Sequence, residues 1–426
     1  MSVSVTFGSA HQVLLASEFF MARRPVVDRA QRLIAHELMF CNITHRGSTA
    51  VAAAERPTNA SVISDVYRHG MDRVLGPLSG ILYIDAHALM SDIFQFLPAH
   101  KIVLELADMP SVKPEILDRM TELKSAGFHF ALVAGDAVDK ASELLPLVDG
   151  VRIDVTGKER AQLVRLRDLY QSSGKKLLAE KVESMEQFHT CFELGFDFFQ
   201  GYYFTRPDFS SQTGFLPSQA ALVDLMALLA SDADNAAIEE YVKGNIALAL
   251  NLLRLMNRPS GGMHPVDSLR QALMTIGRDW LQRWLQQMLD ADPPRPCAAP
   301  EALLVQAAVR GRLVELLAQK LKPGNRSVAD TGFTVGVMSL MDTLFSTPME
   351  KLLQTIPVTD DIRGALLTRQ GYFGTLLSLA ESTEWKDKND VQLLGMLGEL
   401  GLSCDDLYLM QLAAFEWSDQ VMRDIG

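Results

Sequence analysis

The sequence predicts a β/α barrel followed by an all-helical region, and three observations lead to this fold class. Short apolar runs recur at intervals of roughly 20 to 26 residues between residues 80 and 205, separated by segments with helical spacing. Two further apolar runs precede them, and the strand rhythm stops after Pro207. Alternating strands and helices are typical of a parallel sheet covered by helices. The number of units favours a closed barrel over a doubly wound open sheet, for which no GxGxxG follows the first strand.

Each apolar run is expected to form one strand, and the segments between runs are expected to form covering helices. The predicted strands are VLLASEFFMARRPVV (13–27), RLIAHELMF (32–40), GILYIDA (80–86), KIVLELA (101–107), FHFALVA (128–134), GVRIDV (150–155), KLLAEKV (176–182) and FDFFQGYYF (196–204). Helical spacing in this half is clearest over Pro114–Ser125 and Lys158–Ser172.

Beyond a bridge over Phe209–Ala220, the pattern becomes helical and is divided by turn sequences such as NRPSGG and ADPPRPCAAP. The predicted helices are Ala221–Ser231, Ile238–Met256, Ser268–Leu289, Glu301–Lys320, Gly332–Phe345 and Val391–Leu400, with a helical tail over Gln370–Gly426. Glu384–Asp390 within this tail is predicted to be a loop or a solvated helix start. The arginines Arg310, Arg312 and Arg326 are predicted to form a solvated face.

Composition narrows the class of protein. The 426 residues are 48% hydrophobic and 22% charged, which excludes a largely disordered or collagen-like chain and predicts two to three domains. The net charge of −12 argues against a protein that coats DNA, so no direct nucleic-acid partner is expected. Four widely spaced cysteines, without a CxxC pair, predict free thiols in a reducing compartment. The N-terminal segment lacks the order of a secretory signal and no charge-free stretch is long enough to span a membrane, so a cytoplasmic location is expected.

Polar side chains recur at the predicted carboxyl ends of the strands. In a β/α barrel these positions line the catalytic mouth. Acidic groups within apolar runs are costly to bury unless they meet a metal, a base or water. Alternatively, each acid caps the following helix or pairs with a nearby lysine or arginine. The residues concerned are Glu37, Asp85, Glu105, Asp154, Glu180 and Gln200.

Four segments resemble the EAL domain of bacterial cyclic di-GMP phosphodiesterases, over about residues 15–207. They are ARRPVVDRAQRLIAHELMF (22–40), VLEL (103–106), LLAEKVES (177–184) and FDFFQGYYFTRP (196–207). The resemblance implies a modified TIM-like barrel. In this family, glutamates, an asparagine and a pair of aspartates hold divalent metals, a lysine assists the attacking water, and a glutamine supports the site.

The resemblance implies that only part of this set is kept. Glu37, Glu105, Glu180, Glu183 and Gln200 match the family pattern, and Asp85 stands where the family has asparagine. The resemblance assigns the departures to four positions: Val133 and Ala134 replace the aspartate pair, Arg152 in VRIDV replaces the lysine, and Cys41 replaces a phosphate-binding arginine.

These losses predict a vestigial site without catalytic, metal-binding or cofactor-binding residues. Two-metal hydrolysis needs bridging carboxylates, and Val133 and Ala134 offer no side-chain oxygen. Arg152 keeps a positive charge but cannot exchange a proton as lysine can. Residual activity would require Asp136 and Asp154 to rebuild the metal site.

The second half resembles the HDOD domain, an all-α relative of HD phosphohydrolases that lacks their metal-binding histidine and aspartate. The resemblance lies in 238–260, 268–285, 305–319 and 333–358, and an EAL-like domain followed by HDOD is a known bacterial signalling architecture. All nine histidines lie at or before His264, so no His–Asp metal site is expected in the later helices. The predicted domains are 1–207 and 208–426, and Trp280, Leu281 and Trp284 mark a possible interaction face, with core packing as the alternative.

The sequence therefore predicts a catalytically inactive EAL–HDOD regulatory protein that acts by binding another signalling protein. The first alternative is a sensor of cyclic di-GMP or another ligand, and the second is a residual cyclic di-GMP phosphodiesterase. Cyclic di-GMP binding is expected to be weak or absent, no cofactor is expected, and a homo-oligomer is possible.

Overall fold

A closed eight-stranded barrel forms the first part of the chain, as the sequence predicts. The computed structural model describes residues 19–42, 70–106, 113–134, 143–204, 217–256, 265–290, 301–384 and 390–425. The strands are β1 (Phe19–Asp28), β2 (Leu33–Asn42), β3 (Ser79–Ile84), β4 (Ile102–Leu106), β5 (His129–Val133), β6 (Gly150–Asp154), β7 (Lys176–Glu180) and β8 (Phe198–Phe199).

The first strand gives this barrel its modified topology. β1 pairs in antiparallel fashion with β2 on one side and with β8 on the other. The pairs from β2–β3 through β7–β8 are parallel, so the carboxyl ends of β2 to β8 meet at one end of the barrel. Residues at those strand ends are therefore brought together in space.

Side-chain alternation along the strands divides the barrel interior into layers. Val26, Ala35, Ile81 and Leu178 form a small apolar cluster inside the barrel. Glu37 and Glu180 lie two residues beyond Ala35 and Leu178, so they share the inward face one layer nearer the carboxyl ends. The polar side chains of this second layer are the candidate site.

The helices of the barrel half begin where local capping chemistry predicts. They are α1 (Met71–Leu75), α2 (Ala86–Leu89), α3 (Pro114–Ser125), α4 (Arg160–Gln171) and α5 (Met185–Glu193). Pro114 occupies the start of α3, where the missing N–H costs nothing. Glu159 and Gln162 form a capping box at α4, and the Ser184 side chain caps α5.

The second part of the chain is largely helical, as predicted. Its helices are α6 (Gln219–Ala230), α7 (Asn235–Gly244), α8 (Ile246–Leu255), α9 (Leu269–Ile276), α10 (Arg278–Asp290), α11 (Glu301–Leu321), α12 (Arg326–Met338), α13 (Met341–Leu344), α14 (Met349–Thr355), α15 (Asp360–Thr368), α16 (Gly371–Glu384), α17 (Asp390–Leu400) and α18 (Cys404–Ile425).

Three helices predicted as continuous are each divided in the structure, and one of them, predicted as Gly332–Phe345, is split between α12 and α13. The segment predicted as Ile238–Met256 breaks at Asn245, whose extended backbone ends α7 and whose side chain caps α8. The segment predicted as Ser268–Leu289 breaks at Gly277, which has φ of 76°. This left-handed conformation favours glycine, so the residue ends α9 and turns the chain into α10.

The possible interaction face on α10 is corrected by the structure. Leu281 and Trp284 are buried, and Trp280 packs partly buried against the same hydrophobic core. Apolar side chains at helical spacing here face inward, which is the core-packing alternative. The large hydrophobic side chains that are exposed in the described part of the chain are Met90, Phe96, Val223, Met274, Leu367 and Leu409.

The predicted solvated arginine face is also only partly correct. Arg326 is exposed, but Arg310 has 5% of its surface accessible and binds Glu384 through Nε and Nη2, both at 2.7 Å. Arg310 Nη1 also donates to Ser339 Oγ at 2.7 Å. A buried guanidinium needs such partners, and the spacing of arginines along the sequence does not reveal them.

The barrel and the helices share one continuous hydrophobic core. The outward face of β1 contacts α16 and α18. Arg23 on β1 forms a buried ion pair with Asp419 on α18 at 3.0 Å, and Gln411 Nε2 donates to the Met21 carbonyl at 2.7 Å. The predicted boundary between residues 207 and 208 lies outside the described residues and stays a prediction.

None of the described helices is both long enough and apolar enough to cross a lipid bilayer.

Candidate functional site

The candidate site is a buried cluster at the carboxyl ends of the parallel strands. Glu37 (β2), Glu105 (β4), Arg152 (β6) and Glu180 (β7) are between 1% and 3% exposed, and Gln200, directly after β8, is 4% exposed. Inward alternation on each strand brings these five side chains to one level. The structure therefore joins five of the residues that the sequence singled out.

Arg152 lies at the centre of this cluster. Its Nε forms an ion pair with Glu105 Oε1, and its Nη1 lies 3.3 Å from both Glu37 Oε1 and Glu180 Oε1. The same Nη1 donates to Gln200 Oε1 at 2.9 Å. One guanidinium thus contacts all three carboxylates.

Gln200 and Arg24 also contact Glu37. Gln200 Nε2 donates to Glu37 Oε2 at 3.0 Å, so this amide bridges Arg152 and Glu37. Arg24 Nη1 lies 3.8 Å from Glu37 Oε2, because Arg24 stands opposite Glu37 in the antiparallel register of β1 and β2. Sequence reasoning did not single out Arg24, although hairpin register between 22–27 and 33–39 would have indicated it.

The electrostatics of the cluster keep Arg152 charged. Burial by itself lowers the pKa of a guanidinium, but the attraction of Glu105, Glu37 and Glu180 outweighs it and raises the pKa of Arg152 above its usual value. Arg152 therefore supplies a permanent positive charge and cannot serve as a general base or acid.

Asp85 and Asp154 are placed outside this cluster. Asp85 is exposed and caps α2, with its Oδ1 accepting from the Ala88 N–H at 2.7 Å. Asp154 accepts from Lys181 Nζ at 2.7 Å and from the Thr156 N–H at 2.9 Å. Burial would raise the pKa of Asp154, but the bonds from Lys181 and Thr156 lower it. Both acids have the helix-capping or ion-pairing role that the sequence left open.

Val133 and Ala134 lie next to Arg152 and supply no carboxylate to it. Val133 lies beside Arg152 in the β5–β6 register, and the Ala134 N–H donates to the Arg152 carbonyl at 2.8 Å. Glu183 is half-buried just after β7, and its backbone N–H donates to Gln187 Oε1. Cys41 lies on β2 opposite Phe20, but its side chain is not among those described. Asp136 lies outside the described residues.

The donor set does not fit a divalent metal centre. Mg²⁺ requires several oxygen ligands in near-octahedral geometry. In the described part of the chain, no three histidine, cysteine or acidic side chains are grouped so that they could hold a metal ion. The three glutamates that come nearest to such a group are instead ion-paired with one guanidinium.

Little free space remains beside the cluster. A cavity of about 30 Å³ is lined by Arg24, Pro25, Glu180, Lys181, Gln200, Gly201 and Tyr202. This is about the volume of one water molecule. The close approach of β7 and β8 contributes, because a Cβ on Gly201 would lie 2.1 Å from the Val182 carbonyl oxygen.

Comparison with known proteins finds the following similarities. Residues 85–207 match the family model of the EAL domain. Over 95% of its length the chain is 27% identical to the cyclic di-GMP phosphodiesterase CdgJ of Vibrio cholerae, of which the match covers 93%. It is 24% identical to the uncharacterized protein YuxH of Bacillus subtilis, over 95% of this chain and 98% of that protein.

Two solved structures that resemble the chain each cover less than half of it. An EAL domain protein from Listeria monocytogenes is 22% identical, with a TM-score of 0.37, over 45% of this chain and 88% of that one. The PaMucR phosphodiesterase in complex with cyclic di-GMP is 15% identical, with a TM-score of 0.37, over 43% of this chain and 94% of that one.

Proposed function

We propose that this chain is a regulatory protein of cyclic di-GMP signalling whose barrel no longer hydrolyses the dinucleotide and which acts by binding another signalling protein. The observation that carries the proposal is the Arg152 guanidinium, buried in contact with Glu37, Glu105 and Glu180. In an EAL phosphodiesterase, carboxylates of this kind would hold catalytic metals. Here the guanidinium of Arg152, a side chain of the protein itself, neutralises part of their charge.

The missing groups support the loss of hydrolysis. A metal-bound hydroxide must be generated and the phosphoryl oxygens must be held, which requires ligands that Val133 and Ala134 do not provide. Arg152, with a raised pKa, cannot accept the proton of the attacking water. On this proposal, the described part of the barrel supplies neither the ligands for a metal-bound hydroxide nor a group that accepts the proton of the attacking water.

Weak binding of cyclic di-GMP follows from the same arrangement. The three glutamates outnumber Arg152 and Arg24 by one charge, so the site opposes a ligand with two negative charges. Cys41 replaces the arginine that would hold a phosphate. A dissociation constant weaker than about 10 μM, roughly −7 kcal/mol, is expected.

The helical part is proposed to be an HDOD-like domain that carries the regulatory output. The order of its helices over 217–425 supports this assignment, together with the sequence resemblance. Helical domains without catalytic ligands commonly offer grooves or faces to other proteins. The buried pair of Arg23 and Asp419 joins this domain to the wall of the barrel, so the two parts can respond together.

Hydrolysis by the purified full chain tests the first part of the proposal. With Mg²⁺ or Mn²⁺, no turnover of cyclic di-GMP is expected above that of the Glu37→Ala variant. The matched gain-of-function variant combines Arg152→Lys, Val133→Asp and Ala134→Asp, and we expect it to acquire measurable turnover. Turnover by the wild-type chain that Glu37→Ala removes would contradict the proposal.

Capture of partners tests the second part. Met274 on α9 is 69% exposed and Met90 on the barrel is 50% exposed, so Met274→Glu and Met90→Glu are matched changes. Proteins bound by the full chain from its native host are expected to be lost with Met274→Glu and kept with Met90→Glu. If capture were instead lost with Met90→Glu and kept with Met274→Glu, the partner-binding surface would lie on the barrel.

A residual cyclic di-GMP phosphodiesterase is the second candidate, because the relative CdgJ, 27% identical over 95% of this chain, carries that name. It would require Asp136 and Asp154 to supply metal ligands, although Asp154 is bound to Lys181. Turnover that Asp154→Asn abolishes would favour this candidate. Submicromolar binding without turnover would favour a sensor.

A further inference from the structure

A second buried cavity lies between the outer wall of the barrel and the helical domain. Its volume is about 60 Å³. Arg23, Arg24, Pro25 and His36 line it from β1 and β2, and residues of α11, α16 and α18 close it from the other side. Arg24 and Pro25 also line the smaller cavity beside the glutamate cluster, so the two cavities share part of the β1 wall.

Three buried side chains in this cavity have polar atoms without hydrogen-bond partners. Within the part of the chain that the structure describes, these atoms are both ring nitrogens of His36, Nε and Nη1 of Arg23, and Oε1 of Gln411. His36 is 3% exposed, Gln411 is 2% exposed and the Arg23 side chain is 3% exposed. Buried polar groups are almost always paired, so five unpaired atoms around one cavity indicate that a bound molecule pairs with them.

The chemistry of these atoms defines the occupant. Arg23 offers N–H donors, which require an acceptor, whereas Gln411 Oε1 requires a donor. Burial and the charge of Arg23 hold the pKa of His36 well below its usual range, so its neutral ring offers one donor and one acceptor. The ligand must therefore both accept and donate hydrogen bonds.

The cavity walls supply hydrogen-bond donors and apolar surface. Three guanidinium groups line the cavity, and each also pairs with a carboxylate, namely Asp419, Glu37 or Glu384. Nε and Nη1 of Arg23 are the donors that remain for a negatively charged acceptor. Val305, Val309 and Phe415 supply apolar surface. The volume, roughly that of two water molecules, restricts the ligand to a few non-hydrogen atoms.

We propose that this interdomain cavity binds a small hydroxycarboxylate, with its carboxylate on Arg23 and its hydroxyl on Gln411. Ligand sites occur preferentially between domains, where a few convergent polar groups fix orientation. Occupancy bridges β1 and β2 to α18, so the ligand stabilises the docked arrangement of the barrel and the helical domain. The assignment of this ligand rests neither on cyclic di-GMP binding nor on hydrolysis in the barrel.

Calorimetric titration of the full chain with sodium glycolate, acetate and chloride at matched ionic strength tests the proposal. Glycolate is expected to bind with a dissociation constant on the order of 1 mM, since so few atoms make contact. Acetate lacks the hydroxyl and is expected to bind about tenfold more weakly, because Gln411 Oε1 then stays unpaired. Chloride is expected to give no measurable heat of binding.

Val309→Phe fills the cavity without removing a polar group and is expected to weaken glycolate binding at least tenfold. Val223→Phe, at a position of α6 that is 53% exposed, is the matched control and leaves binding unchanged. Equal binding by wild type and Val309→Phe would overturn the proposal, since glycolate would then bind elsewhere.

The ¹⁵N resonances of the His36 ring give a second readout that needs no cavity variant. They are assigned by their absence in His36→Gln, and glycolate is expected to shift them at the concentrations that give heat. No shift at saturating glycolate would show that water alone occupies the cavity, and the proposal would fail.

Discussion

His36 and Glu37 are consecutive residues of β2, yet their side chains lie on opposite sides of the barrel wall. Glu37 contacts Arg152 inside the barrel, 3.3 Å from its Nη1, whereas His36 lines the cavity shared with the helical domain. Arg24 and Arg23 repeat this arrangement on β1, with Arg24 beside Glu37 and Arg23 paired with Asp419. A single hairpin thus carries the contacts of both sites.

Replacing Arg152 by methionine is expected to destabilise the chain by about 3–5 kcal/mol, because three buried carboxylates lose the cation that they share. Urea unfolding of the full chain measures the change. The control is Arg160→Met, which removes an exposed ion pair with Glu193 and is expected to cost less than about 1 kcal/mol. Equal losses in the two variants would show that the buried cluster does not depend on Arg152.

The two ion pairs that join the barrel to α18 are expected to differ in strength. Arg23 and Asp419 are buried, at 3% and 7% side-chain exposure, whereas Arg73 and Glu416 are exposed at 43% and 41%. Double-mutant cycles on unfolding should give a coupling above about 2 kcal/mol for the buried pair and below about 1 kcal/mol for the exposed pair. Similar coupling energies for the two pairs would show that groups other than Arg23 stabilise the buried charge of Asp419.

Asp406 at the start of α18 is expected to titrate with a pKa of about 2, because Lys320 and Ser403 bind its ionised form. The folded pKa is below the unfolded one, so this stabilisation is complete above about pH 4 and is lost as pH falls toward 2. Carboxyl ¹³C resonances across this range measure the pKa. Lys320→Met should raise it, while Lys322→Met, which changes a lysine not bonded to Asp406, should leave it unchanged.

Two Gly→Ala changes are expected to have opposite effects. At Gly277, φ of 76° strains any residue with a Cβ, so Gly277→Ala should cost about 1 kcal/mol. Gly395 lies inside α17 with open space around its Cα, so Gly395→Ala should add about 0.5–1 kcal/mol. Thermal unfolding compares the two. If Gly277→Ala stabilised the protein, the turn between α9 and α10 would not require the positive φ of Gly277.

The strands were predictable because their alternating, evenly spaced pattern survives in sequence, whereas the helix breaks were not. Apolar spacing continues through Asn245 and Gly277, so it gives no sign that each helix ends there. The acids at strand ends could be named from sequence, but their separation into paired and capping groups depends on register. Lys181 next to Asp154 and Arg152 among the glutamates are contacts between strands that no local pattern contains.

His36, Arg23 and Arg310 escaped prediction for a different reason. Each lies where two parts of the chain meet, and polar residues there have the same local appearance as residues on a solvated face. The burial of His36 and Arg23 is set by helices more than 250 residues away in sequence, as Leu33 illustrates through its bond to Glu301. The partners of Arg310 are nearer, since Ser339 and Glu384 lie 29 and 74 residues away. The spacing of apolar residues reports on windows of fewer than about 20 residues, so it does not predict contacts between such distant segments.

The contacts of β1 with α18 have a consequence for the order of synthesis. Arg23 and Asp419 are 396 residues apart, and ribosomes add about 5–20 residues per second, so Arg23 waits roughly 20–80 s for its partner. During that interval the outer face of β1 carries a charge without its partner. Barrel closure through β8 can come first, α11 and α16 can dock next, and the buried ion pair forms only when α18 has left the ribosome.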